Sequence, residues 1–61
     1  MKPKKVSRKV LRKIIETRRP IGLFYTKYHW RFIGVDNRTG DAWTEGFLTK
    51  RACLKWLKGE G

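Results

Sequence analysis

Large apolar residues recur along this chain with two different periods, and those periods mark out its elements. Val10, Leu11, Ile14 and Ile15 fall at i, i+1, i+4 and i+5, a single stripe on a helix of 3.6 residues per turn. Ser7 is placed to cap that helix. Pro20 closes it, because the residue before a proline avoids the helical region. The spacing predicts a helix over 7–18. Residues 21–26, IGLFYT, are short and aromatic-rich and predict a strand. Residues 29–35, HWRFIGV, predict a second, with Trp30 and Phe32 on one side and His29, Arg31, Ile33 and Val35 on the other. Only 26–29 joins the two, a tight hairpin. DNRTGD at 36–41 is a turn, since Asp and Asn bond their own backbone and Gly40 accepts a positive φ. Residues 41–47, DAWTEGF, alternate as a third strand, with Asp41, Trp43, Glu45 and Phe47 on one side. A second helix is predicted over 49–58. Thr49 is its cap, Leu48 is expected to staple onto Cys53, and Ala52, Cys53, Trp56 and Leu57 form its apolar face, with Gly59 at its end.

The order is therefore α-β-β-β-α, an α+β fold. The simplest architecture is a three-stranded antiparallel meander with both helices packed on one face, because one helical layer buries both stripes. Residues 1–5, MKPKK, have nothing to bury and are expected to form a mobile basic tail. Residues 6–61 form a single small domain. A domain of this size buries only about 60% of the surface its unfolded chain exposes. A thin margin of stability and no deep catalytic pocket are expected.

Charge changes the picture more than any other bulk property. The net charge is +11, and residues 1–20 carry nine cations and one carboxylate against seven and four in residues 21–61. A small domain so charged favours polyanionic partners. Nucleic acid is the first expectation, and an acidic protein or an anionic membrane surface the alternatives. The first helix has β-branched residues and no aromatics, which disfavours the membrane. No apolar stretch approaches the ~18 residues of a membrane span or the core of a signal peptide. Cys53 and His29 are each the only residue of their kind, so no intramolecular disulfide and no zinc cluster is expected. A domain held by packing alone suits a reducing cytoplasm. Asn37-Arg38-Thr39 matches a glycosylation acceptor and is read as chance without a secretory signal.

Catalytic constellations are poor. Asp36 and Asp41 flank a turn and read as turn chemistry, Cys53 reads as a small buried hydrophobe, and no glycine-rich phosphate loop occurs. No enzyme activity, cofactor or metal is expected. The informative set is the strand aromatics Phe24, Tyr25, Trp30, Phe32, Trp43 and Phe47, interleaved with Lys27, Arg31 and Arg38. One helical layer covers one face of a sheet, which leaves aromatics and cations on the other, a platform that suits nucleic acid. The same aromatics also serve a core and cross-strand pairs. Phosphate contacts are expected from Arg8, Lys9, Arg12, Lys13, Arg18 and Arg19, and sheet contacts from Lys27, Trp30, Arg31, Arg38 and Trp43, with double-stranded DNA favoured over RNA. The alternative is a protein-interaction module that inhibits or modifies a partner through the aromatics. Asp41 and Glu45 beside Trp43 support that alternative.

GFLTKRACLKWL resembles the strand-to-helix passage of the three-stranded-sheet, AP2-like DNA-binding domains of tyrosine integrases. Phe47, Thr49, Lys50, Ala52 and Trp56 carry the resemblance, which implies DNA binding by the sheet. The chain departs from that pattern in its basic helix before the sheet. The α-β-β-β-α order is also similar to that of double-stranded RNA-binding domains, with Thr49-Lys50-Arg51 at the place of their basic signature. Size, charge and the IGVDNRTGDAWTEGF segment resemble a small phage or mobile-element protein.

Overall fold

A computed structural model describes residues 2–59. Its elements are β1 (Lys4–Lys5), α1 (Arg8–Thr17), β2 (Gly22–Tyr28), β3 (Arg31–Asn37), β4 (Trp43–Phe47) and α2 (Lys50–Leu57). The α+β class holds, and both helices stand where the periodicity put them. Ser7 Oγ accepts from the Val10 N–H at 3.2 Å, and Thr49 Oγ1 accepts from the Ala52 N–H at 3.1 Å. At the far ends the chain turns left-handed at Arg18, φ 59°, and at Gly59, φ 75°.

The sheet has four strands in the order β1-β2-β3-β4. The three predicted strands form the antiparallel meander. Lys4 and Lys5, assigned to the tail, add a fourth strand parallel to β2, opposite Phe24 and Tyr25. The Val6 N–H extends this pairing to the Tyr25 carbonyl at 2.9 Å. Two lysines carry no strand pattern; backbone pairing alone places them. β1, α1 and β2 thus make a short parallel crossover.

The helices do not share a face. α1 buries Leu11 and Ile14 with Phe24 and Val35, while α2 buries Cys53 and Leu57 with Leu23 and Tyr25. Successive residues of a strand point to opposite sides, so the two clusters lie on opposite faces and the sheet is sandwiched. The reason lies in β2, where Leu23, Phe24 and Tyr25 are consecutive and all buried. A strand apolar in both directions needs cover on both sides.

Two loops differ from expectation. The first hairpin turns at His29-Trp30, not at 26–29, because Tyr28 still pairs with Arg31. His29 takes φ 57° in this two-residue loop. The second loop runs over 38–42, later than the predicted turn. Its length follows from Asn37, which is fully buried; its Nδ2 donates to the Pro20 carbonyl at 2.7 Å and its Oδ1 accepts from the Ala42 N–H at 3.0 Å. Leu48 is 69% exposed and does not cover Cys53.

α2 can approach the sheet closely because β3 carries a glycine at the crossing. A Cβ at Gly34 would stand 3.0 Å from Cys53 Sγ and 3.3 Å from the Trp56 ring. Gly34→Val is expected to lower the unfolding free energy by about 3 kcal/mol through overpacking, despite valine's preference for strands. A urea unfolding curve measures it. Burial pushes the Cys53 thiol up to about 11, so it is a neutral, packed group at physiological pH.

Candidate nucleic-acid interface

The charge on α1 is the reverse of what helix stability asks for. Its first turn holds Arg8 and Lys9 and no acid, and its last turn holds no base. Cations at a helix N-terminus oppose the macrodipole by about 0.3–1 kcal/mol each, screened at the surface. The partial positive charge of the free N–H groups adds to the same potential.

The burial of Leu11 and Ile14 sets which way every other side chain of α1 points. Arg8 and Arg12 lie on the Ile15 flank, facing β3 and β4. There they rim a groove of about 400 Å³ lined also by Leu11, Tyr28, Ile33 and Thr44, with the Glu16 carboxylate among them. Arg8 sits over the Tyr28 ring, 5.0 Å from its centroid. The groove stays open toward β4, where Gly46 faces it beside Ile33 and a Cβ at Gly46 would meet nothing within 4 Å. A second concavity, lined by Ser7, Arg8, Lys9, Arg12 and Tyr28, continues around the start of the helix. Arg8 and Arg12 are both exposed, and a guanidinium so placed can pair with a phosphate through two parallel hydrogen bonds.

The β2–β3 tip lies at the same end of the molecule. Lys27, Trp30 and Arg31 stand there, all exposed, and Arg31 pairs across the ladder with Tyr28. Tyr28 and His29 meet edge to face at 4.5 Å between centroids. The structure thus brings together Arg8, Lys9, Arg12, Trp30 and Arg31 out of the predicted set; Lys27, opposite Phe32, belongs to the α2 side of the sheet. It adds Tyr28, which the sequence reading missed. Its signal was legible: a hairpin turning at His29-Trp30 makes Tyr28 the last strand residue and the partner of Arg31.

The remaining candidates lie elsewhere. Lys13 and Arg19 line a separate concavity with Val10 and Pro20, on the other flank of α1, and Arg18 caps its far end. Trp43 is 65% exposed, but it belongs to the α2 face, opposite Asp36 and two residues from Glu45. The predicted open platform does not form, because α2 covers it: Phe32 and Phe47 are half-buried, Phe47 lies 5.6 Å from Trp56, and Tyr25 is in the core.

Arg38 is engaged within its own loop. Its Nε and Nη2 donate to the Asp36 carboxylate at 3.0 and 2.8 Å, the one ion pair among the described residues. The Arg38 side-chain hydrogen bond holds the Asp36 carboxyl below its usual value against the opposing effect of burial. A depressed acid means the unfolded chain binds more protons in acid. The stabilisation is therefore present at neutral pH and lost as pH falls through the folded value. Asp36→Asn is expected to cost at most about 1 kcal/mol at neutral pH. That difference from the wild type should shrink as pH falls through the folded carboxyl value, as thermal melts along the acid limb would show.

Asp41 accepts from Thr39 Oγ1 at 2.7 Å, so both turn acids are engaged locally. No group of three or more metal-ligating side chains occurs among the described residues. No helix among them is long and apolar enough to cross a membrane. Comparison of the chain with protein families, curated proteins and solved structures gives no match.

Proposed function

We propose that the protein is a non-enzymatic nucleic-acid-binding module that grips the phosphate backbone, double-stranded DNA foremost, with α1 and the adjoining β2–β3 tip. One observation carries the reading. Arg8, Lys9 and Arg12 gather around Tyr28 at the start of α1, beside its ladder partner Arg31, and no ion pair among the described residues neutralises them. Such a cluster costs self-repulsion in the free protein, which binding of a polyanion relieves. The resemblance of GFLTKRACLKWL to AP2-like integrase domains points to DNA as well. It does not point to the same surface, since the sheet face toward α2 is covered.

Affinity in this arrangement comes mainly from counterion release and falls steeply with salt. The test is a titration of the intrinsic tryptophan fluorescence with duplex DNA, single-stranded DNA and duplex RNA at two salt concentrations. Saturable binding with a steep salt slope, tightest for duplex DNA, supports the reading. Absence of binding to all three at moderate salt overturns it and leaves an acidic protein partner as the remaining reading, for which Trp43 beside Glu45 is the observation in favour.

A further inference from the structure

Trp30 stands out in the interface. It is 73% exposed, the most of any large apolar residue, and it occupies the second position of a two-residue loop. Nothing in the fold covers it. Its neighbours make it more than a stray side chain. Its ring lies 6.0 Å from His29, which meets Tyr28 edge to face, and Arg8 packs on Tyr28, so a row of three rings is tied to the start of α1. His29 holds φ 57°, the left-handed conformation that a two-residue hairpin loop requires at its first position. Lys27 and Arg31 flank the loop in the strands on either side.

We propose that Trp30 stacks on an unpaired or unstacked base, so that the preferred ligand is a nucleic acid whose duplex is interrupted by a bulge, fork or flap. The inference rests on the nucleic-acid reading and deepens it. A continuous duplex offers base edges in its grooves, and an indole has one N–H donor and a broad π-face with little to read there. An extruded base offers a π-face, and stacking on it is tolerant of sequence. Arg8, Lys9 and Arg12 lie beside the tip, where they hold the phosphates next to the interruption. The duplex supplies the charge, and the interruption supplies the stacking partner.

The test compares a continuous DNA duplex with the same duplex carrying one unpaired nucleotide, both fluorescently labelled, by anisotropy at fixed salt. The wild type is expected to bind the bulged duplex about tenfold more tightly, the effect of one stacked base. Trp30→Ala should erase that preference, weakening binding of the bulged duplex about tenfold more than binding of the continuous one. Trp30→Phe should restore most of it. Trp30 makes no core contact, so an unchanged melting temperature is expected for both variants. Equal binding of the two duplexes by the wild type overturns the inference, as does a Trp30→Ala variant that weakens both in the same proportion. Either result leaves the phosphate-binding reading standing. Failure of the wild type to bind any nucleic acid overturns both.

Discussion

Replacing Arg8, Lys9 and Arg12 together by glutamine should weaken duplex binding by roughly a hundredfold at about 0.15 M salt, and should flatten the salt dependence. Each lost phosphate contact removes about 0.9 from the slope of log affinity against log salt, so three remove about 2.7. Glutamine keeps the helix, since its intrinsic propensity is close to that of arginine and lysine. The variant should also fold at least as well as the wild type, within about 1 kcal/mol. It loses the Arg8 contact with Tyr28, worth about 0.5–1 kcal/mol at an exposed site. It gains by removing cations from the wrong end of the helix dipole and from a crowded field. Equilibrium unfolding and anisotropy on the same preparation separate the two effects. A collapse in binding with stability intact places these residues in the interface. Unchanged binding removes α1 from it. The matching substitution of Lys13, Arg18 and Arg19, on the other flank and end of the helix, is expected to lower affinity much less.

Asn37→Ala should be among the most destabilising single substitutions in the chain, at about 3 kcal/mol. Asn37 is fully buried, and its amide joins the Pro20 carbonyl at the entry to β2 to the Ala42 N–H at the entry to β4. Alanine leaves both backbone groups without that partner and opens a space besides. A domain of 61 residues has only about 3–9 kcal/mol in all, so a large part of the folded population is at stake. Asn37→Asp sharpens the test. It keeps an acceptor for Ala42 but sets a buried carboxylate against the Pro20 carbonyl oxygen. Burial raises such a carboxyl's folded pKa above its unfolded value. The native state then binds more protons, and stability falls as pH rises past about 4. The Asn37→Asp variant should therefore recover stability in acid, where its protonated carboxyl can donate to Pro20. That is opposite in sign to the acid response set by Asp36. Urea unfolding along a pH series reads both. Equal stability of Asn37→Ala and wild type would show that water satisfies the two backbone groups as well as the amide does.

How much was legible differed by element. Both helices could be read because each needs only its own stripe and cap: Ser7 with Leu11 and Ile14, Thr49 with Cys53 and Leu57. The strands could be read as runs of aromatics, but their ends could not. The pairing of Tyr28 with Arg31 moves the hairpin loop to a histidine and a tryptophan, neither a turn-forming residue. Burial of both faces was written in Leu23-Phe24-Tyr25, three consecutive large residues that one helical layer cannot cover. The expectation of an open aromatic face followed from passing over that run. Its consequence reached the site: Trp43 fell away from the cationic end, and Tyr28 joined it.

The sequence by itself determined the α+β class, the two helices and the concentration of positive charge in the first third. These are properties of composition and of short-range period, and they hold wherever the elements end up. Only the tertiary structure decided that Lys4 and Lys5 extend the sheet, that the helices take opposite faces, and that Arg8 and Arg12 turn toward the hairpin tip while Lys13 turns away. The physical reason is the same in each case. A helix carries cations all round its polar arc, and nothing local distinguishes one side of that arc from another. The direction is set when Leu11 and Ile14 find Phe24 and Val35, contacts between residues distant in the chain that leave no local pattern behind.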